Sequence, residues 1–283
     1  MISCIDSSSQ RRYRGTVRGA ILDWSGTVCD AYVMAPARVF VKVFAAAGVE
    51  ISMAEAREPM GLPKDLHIRT LLGVADIRRR WRAVHGRDPD DGDARQLFEQ
   101  FEPRQIQCLP EYATLLPGVV EMASRLQGDL GVKIGVTTGF MRSMVDVLVE
   151  HARRQGFHPD CTVAGDEVAH GARPRPFMLY RNLELLDVYP VQSVVKVDDT
   201  VSGVGEGLSA GCWSVGIARY SNYMNADTLE QARSWSGEEV AERLRGSRRL
   251  LREAGAHYVI DEPLELVAVV EDVNRRLARG EQP

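Results

Sequence analysis

No run of eighteen consecutive apolar residues occurs in this chain, and the opening "MISCIDSSSQRRYRG" lacks the apolar centre of an export signal. Neither a membrane span nor secretion is expected. Cysteine is sparse: Cys4, Cys29, Cys108, Cys161 and Cys212 make five, scattered, with no CxxC spacing. An odd and dispersed set suits reduced thiols in a cytoplasm. An excess of one charge sign is also missing. Charged residues are 26% of the chain and the formal net charge is −4, which provides no field to gather nucleic acid or an anionic membrane. Internal repeats and low-complexity segments are absent. What remains is 283 residues, 45% of them hydrophobic, enough for one large domain or a core domain with an insert. Residues 1–17, with Arg11, Arg12 and Arg14, read as a flexible N-terminal tail.

Short β-branched runs recur: "GAILDW" at 19–24, "VKIGVTT" at 132–138, "CTVAG" at 161–165, "SVVKVDD" at 193–199, "CWSVGIA" at 212–218 and "HYVID" at 257–261. Continuous apolar runs without alternation predict strands covered on both faces. Helical stretches such as "GVVEMASRL" and "MVDVLVEHARRQG" lie between them, so the fold class expected is α/β, a doubly wound parallel sheet. The rhythm breaks once, between the first and second strands. Residues 35–110 carry amphipathic helical patterns ("ARVFVKVFAAAG", "MAEAREPMG", "DLHIRTLLG", "ADIRRRWRAVHG", "ARQLFEQF") and no convincing strand. They predict a helical cap inserted into a core made of 18–34 and 111–283. Hinges are expected near 31–36 and 110–117, each containing proline. "RDPDDGD" at 87–93 reads as a turn, because its spacing does not fit an EF-hand loop.

In an open α/β sheet ligands bind beyond the carboxyl ends of the strands. Asp23 ends the first run, Thr137 and Thr138 the second, Arg173 follows the third in "GARPRP", and Asp198 and Asp199 end the fourth. Each alone is equally a helix cap or turn former. As a set they suggest more: converging carboxylates would hold Mg²⁺, and the cation with a nearby Arg and Thr would bind phosphoryl oxygens. Asp23 would then be a nucleophile forming an aspartyl-phosphate.

"DWSGTV", a helical insert, "VTTG", "ARPRP" and "KVDDT", in that order over about residues 18–220, resemble the haloacid dehalogenase superfamily. The resemblance implies a Rossmann-like core, Asp23 as nucleophile, Thr138 and Gly139 beside the phosphoryl group, and Asp199 on the metal. Most phosphatases of that superfamily carry a second aspartate two residues after the nucleophile as general acid. Ser25 stands there, and a hydroxyl protonates a leaving alkoxide poorly at neutral pH.

The insert offers another way to handle a leaving group. Lys64, in "PMGLPKDLHIRTL", follows Gly61 and Pro63 at the start of a helix expected near Asp65. There the positive end of the helix dipole disfavours an ammonium ion and frees a nucleophilic amine. From the local pattern alone Lys64 reads more readily as a solvated surface lysine, and His67, on the same helix face, as an ordinary partly buried histidine. Together with "DWSGTV", "APARVF" and "DDTVSGVGEG", however, "EAREPMGLPKDLHIRTL" is similar to the phosphonoacetaldehyde hydrolase (phosphonatase) branch of the superfamily, from about residue 18 to the last helix near 277.

That resemblance implies a Schiff base on Lys64, with His67 and Met60 beside it, Arg173 on the phosphate, and Mg²⁺ held by Asp23, Asp199 and the Ser25 backbone carbonyl. The small-molecule substrate would be a phosphonate aldehyde. Closure of the cap is expected to bring Lys64 to Asp23 and to expel water. A cytoplasmic homodimer joined through the cap is likewise implied, although "VFVKVF" is equally an intramolecular core. Four positions depart from the family pattern: Gly203 replaces a second acidic residue, Asp198 replaces a glycine, Phe140 replaces a tyrosine and Val33 stands where some members have cysteine. The alternatives are a hydrolase of the same fold acting on another phosphonate aldehyde or a phosphate ester, and a catalytically inactive homologue with a binding role.

Overall fold

The computed structural model describes residues 12–171 and 173–283; most of the expected tail, residues 1–11, lies outside them. The remainder of that tail is seated. Val17 is buried, its N–H donates to Asn274 Oδ1 at 2.7 Å, and Tyr13 packs against the main core.

All six apolar runs form strands: β1 (Gly19–Leu22), β2 (Lys133–Thr138), β3 (Cys161–Ala164), β4 (Val194–Asp198), β5 (Trp213–Ile217) and β6 (Tyr258–Ile260). They pair in parallel in the order β3-β2-β1-β4-β5-β6. The chain winds outward from β1 to one edge and then, from β4, to the other, so the switch point lies beside β1. Alternate side chains of β1 enter different cores. Ala20 and Leu22 join the large cluster with α12 (Leu266–Ala278), whereas Ile21 packs with Leu179 and Leu186 of α8 (Phe177–Leu186). Helices thus cover both faces, which accounts for runs apolar at every position.

The segment between β1 and β2 is helical. It contains α1 (Met34–Ala46), α2 (Met53–Arg57), α3 (Lys64–Gly73), α4 (Ala75–His85) and α5 (Asp91–Tyr112), followed by α6 (Val119–Ser124). Val39, Phe40, Val43 and Phe44 of α1 recur at helical spacing and are all buried with Phe101 and Leu109 of α5. The residues of "VFVKVF" that are most apolar therefore serve the intramolecular core. Two capping boxes set the starts of α2 and α5, at Ser52 with Glu55 and at Asp90 with Asp93. The Asp90 box also makes "RDPDDGD" a helix entry.

Helix α5 runs through Pro103 and Pro110 and ends only at Tyr112. Proline reads as a breaker in sequence, but burial of Phe101, Leu109 and Tyr112 along one face offsets the lost amide bonds. The second connection thus begins at Ala113. The first is strained: Asp30, Tyr32 and Val33 have φ of 52°, 66° and 53°, left-handed values that a β-branched residue such as valine rarely adopts.

Beyond β2 the chain continues with α7 (Arg142–Arg154), then α8, α9 (Val201–Ala210), α10 (Leu229–Ser234) and α11 (Gly237–Glu253). No helix among the described residues is long and apolar enough to cross a membrane.

Candidate active site

Strand register assembles the site. Leu22 is level with both Val136 and Val197, and the Asp23 N–H continues the ladder to the Val197 carbonyl at 3.0 Å. Asp23 therefore leaves the sheet between Thr137 and Asp198. The chain then turns sharply, because the Trp24 carbonyl accepts the amides of Thr27, Val28 and Cys29. Gly26 makes the turn possible. Its φ is 77°, and a Cβ there would stand 2.6 Å from the Asp199 carboxylate.

A small cavity of about 30 Å³ sits above this switch point, lined by Asp23, Ser25, Thr138, Gly139, Arg173 and Asp199 from the sheet side and by Met60, Gly61 and Lys64 from the helical segment. Residues 150 positions apart are thus brought together, Arg173 donating to Asp23 Oδ1 at 2.7 Å. Every expected site residue except His67 faces this cavity.

Beneath it lies a buried charge network. Arg173 also meets Asp198 at 3.2 Å and Glu206 at 3.0 Å, while Lys196 meets Asp198 at 3.0 Å and Glu206 at 3.4 Å. Thr137 Oγ1 accepts from both cations at 2.9 Å, which leaves Thr138, on the next step of the strand, for the cavity. Arg173 Nη1 makes no hydrogen bond to a described residue, so one arm of the guanidinium is left for an anion. Burial raises the Asp23 pKa to about 6, with Asp198 adding to the rise and Arg173 and Lys196 opposing it.

The donor set fits a divalent cation. Asp23, Asp198 and Asp199 each offer an oxygen within 4.8 Å of the others. Asp199 Oδ2 accepts the Asn222 amide at 2.8 Å, but the buried Oδ1 has no partner, and burial beside Asp198 and Asp23 pushes its pKa well up. An orphaned carboxylate oxygen in that setting calls for a cation. The charges agree, since Arg173, Lys196 and Lys64 face four carboxylates, Asp23, Asp198, Asp199 and Glu206, an excess of one negative charge when all are ionised, and of two once Lys64 is a free amine.

Asp198 also lies against Gly203. A Cβ at 203 would fall 1.8 Å from the Asp198 carboxyl carbon. The carboxylate of Asp198 fills the space that a side chain at 203 would take. Thr200, the N-cap of α9, holds Asp198 Oδ1 through its N–H at 3.0 Å and its hydroxyl at 2.8 Å.

Lys64 is the first residue of α3 and is buried, not solvated. Its pKa falls to about 8, chiefly through burial, with Asp23 opposing and Arg173 assisting the fall. Burial thus frees the amine that the helix start was expected to free. Its Nζ lies over the rings of Phe140 at 4.9 Å and Phe40 at 5.9 Å. At position 140 it is the ring face that touches Lys64, and phenylalanine supplies that as tyrosine would.

His67 stands behind Lys64. It is fully buried and stacked on Phe40 with centroids 3.8 Å apart, and its Nε2 is 3.0 Å from the Ala56 carbonyl. Because a carbonyl only accepts, Nε2 carries the proton and Nδ1 is left as an unpartnered acceptor. Burial and the Lys64 charge hold its pKa well below 6.5.

Lys196, Glu206, Asn222 and Arg57 were not singled out in the sequence, yet each is part of or adjoins the site. One signal was available for Lys196: a lysine inside a run covered on both faces needs a buried partner.

The family model of haloacid dehalogenase-like hydrolases matches residues 17–211. A phosphonoacetaldehyde hydrolase of Nitratidesulfovibrio vulgaris is 41% identical over 96% of this chain and 96% of its own length. A phosphonoacetaldehyde hydrolase-like protein of Syntrophobacter fumaroxidans is 38% identical over 98% of this chain and 99% of its own. The crystal structure of a phosphonoacetaldehyde hydrolase-like protein from Oleispira antarctica superposes with a TM-score of 0.93 at 37% identity and full coverage of both chains. The likeness covers core and helical segment alike, and the chain is an enzyme that belongs to the phosphonoacetaldehyde hydrolase family of haloacid dehalogenase-like hydrolases.

Proposed function

We propose that this enzyme hydrolyses the P–C bond of phosphonoacetaldehyde to acetaldehyde and phosphate, through an imine on Lys64 and a phosphoryl group on Asp23. The observation that carries the reading is a buried amine with a pKa of about 8 sharing one small cavity with a strand-end carboxylate.

Expulsion of a carbanion from phosphorus needs an electron sink. The Lys64 amine adds to the aldehyde carbon and water departs, giving an iminium. The faces of Phe140 and Phe40 favour that cation. Asp23 then bonds to phosphorus as the P–C pair moves into the iminium, which becomes an enamine. Protonation and hydrolysis release acetaldehyde and restore Lys64, and a second water cleaves the acyl-phosphate. Arg173 Nη1, the Thr138 hydroxyl and the Gly139 backbone are suited to phosphonate oxygens. Neutral His67, stacked on Phe40 behind Lys64, is suited to support the amine from within the helical segment rather than to touch substrate.

Mg²⁺ would be held by Asp23, Asp199 and Ser25, backed by Asp198, and would supply charge neutralisation for the phosphoryl oxygens. Lys64 takes the place of the general acid that Ser25 cannot be. A cavity of about 30 Å³ holds one or two waters, so the helical segment must withdraw to admit substrate. Residues 30–33, with their left-handed backbone, and 113–117 are the proposed hinges.

Borohydride added with phosphonoacetaldehyde should abolish phosphate release and leave a reduced adduct on Lys64, and Lys64→Arg should be inert. Activity that survives borohydride in the presence of substrate overturns the imine. Ester hydrolysis that persists in Lys64→Ala would point to a phosphate ester instead.

A further inference from the structure

Arg57 ends the short helix α2 with its side chain only 3% exposed. The groups its guanidinium reaches lie outside segment 35–110. Nη1 donates to the Tyr32 carbonyl and, at 3.0 Å, to Asn222 Oδ1, while Nη2 donates to the Ala226 carbonyl and lies 3.5 Å from Met34 Sδ. Each acceptor is neutral. Burying a cation on neutral groups alone is costly, and a planar fork reaching several acceptors is a task that lysine cannot perform. The charges of Asp30, Asp227 and Asp199 help keep it ionised against burial.

The contact runs both ways. Asn222 Nδ2 donates back to the Arg57 carbonyl at 3.3 Å, and the same carbonyl accepts the Met60 amide at 3.0 Å, fixing the turn that leads through Gly61 to Lys64. On its other side, the Asn222 backbone N–H holds Asp199 Oδ2 at 2.8 Å. One asparagine therefore joins the turn that presents Lys64 to the carboxylate whose second oxygen has no partner.

We propose that Arg57 is a positioning residue: with Asn222 it forms a clasp that makes seating of the helical segment and binding of a divalent cation at Asp199 mutually dependent. This rests on the reading of Asp199 and Lys64 given above. When the segment is seated, Arg57 fixes Asn222, and Asn222 holds Asp199 with Oδ1 free. When it withdraws, that hold relaxes. Linkage then requires the cation to favour the seated segment by the same factor.

Arg57 is itself a cation near Asp199, so deleting its charge would favour Mg²⁺ and mask the effect. The test therefore uses Arg57→Lys, which keeps the charge and breaks the fork, and Asn222→Ala, which keeps the backbone amide on Asp199. Titration calorimetry of the full chain with MgCl₂, without substrate, should show a Kd raised about tenfold in each. The double variant should be no weaker than either single one. Mg²⁺ should slow proteolysis within residues 35–110 in the unaltered chain, and slow it less in both variants. If Arg57→Lys does not fold, Asn222→Ala decides alone. An unchanged or tighter Kd in folded Asn222→Ala, or losses that multiply to about a hundredfold in the double variant, overturns the clasp. So does an unaltered chain without affinity for Mg²⁺. A chain that binds Mg²⁺ as described but releases no phosphate from phosphonoacetaldehyde refutes the proposed function and leaves the clasp standing.

Discussion

Exchanging the residues at positions 198 and 203 probes the site where this chain departs furthest from the family pattern. Asp198 is fully buried and meets Arg173 at 3.2 Å and Lys196 at 3.0 Å. Asp198→Gly leaves two buried cations short of an anion, a loss of about 3–5 kcal/mol for a broken buried pair. Gly203→Asp in the otherwise unaltered chain puts a Cβ 1.8 Å from the Asp198 carboxyl carbon. Overpacking of about 1–3 kcal/mol then adds to the repulsion of two carboxylates in one space. Independent changes would cost roughly 4–8 kcal/mol together, as much as the whole net stability of many domains. These two are not independent, because the first empties the space that the second refills with the same charge. The double variant should lose less than about 2 kcal/mol, a coupling of at least about 2 kcal/mol in its favour. Unfolding of the four proteins, with and without Mg²⁺, measures it at roughly 2–4 °C per kcal/mol, and the double variant should also regain the Mg²⁺-induced shift that Asp198→Gly loses. If instead the losses add, the carboxylate is not interchangeable between strand and helix, and the reasoning fails.

Phosphate release at saturating Mg²⁺ should climb with pH and level off above about 8, as the Lys64 ammonium loses its proton; a profile flat through that range refutes the amine. Asp23 without a cation has a pKa of about 6, raised from the ordinary 3.8, so its contribution to stability is present below about pH 4 and lost as the pH rises through about 6. A cation offsets that loss, and the gain in melting temperature on adding Mg²⁺ should be larger near pH 7 than near pH 5. Gly61 has φ of 96°, and a Cβ there would lie 2.9 Å from Ser202 Oγ and 3.0 Å from Thr200 Oγ1. Gly61→Ala should therefore cut turnover by about tenfold or more, beyond what its stability cost of about 1–2 kcal/mol explains at a temperature where the variant is folded, because it wedges the turn before Lys64 off the sheet side. A fully active Gly61→Ala would show that the seated arrangement is not the working one.

The strands and their polar ends were legible because each depends on its own neighbours in sequence. A run such as "GAIL" is apolar at every position only if both faces are covered, and Asp23 follows as the first residue that cannot be. Lys64 was legible as a helix start, but its burial was not, since the walls that bury it, Phe40, Phe140 and the strand ends, come from three distant stretches. Arg57 and Asn222 were illegible for the same reason: their hydrogen bond spans 165 residues. The continuation of α5 through two prolines was missed because a local rule was overridden by packing of Phe101, Leu109 and Tyr112.

The cause of the low Lys64 pKa bears on how such an enzyme can keep a reactive amine. Had the helix dipole been the main cause, the amine would be partly free whether the segment was seated or withdrawn. Burial lowers it instead, and the cavity that buries the amine is walled in part by Phe140, Gly139 and Asp23, all supplied by the sheet side. With the segment withdrawn, Lys64 would regain water and its ordinary pKa, and only about one part in three thousand would be free amine near neutrality; seated, about a tenth is. Under the proposed mechanism the lysine is thus protected from stray aldehydes while the cavity is open and becomes nucleophilic as the cavity closes on substrate. Trinitrobenzenesulfonate labelling of Lys64 tests this through the protonation state alone. In a Gly61→Ala chain, where seating is impaired, the pH at half-maximal labelling rate should move from about 8 towards the ordinary lysine value, and an unmoved midpoint would show that the helix, not closure, sets the pKa.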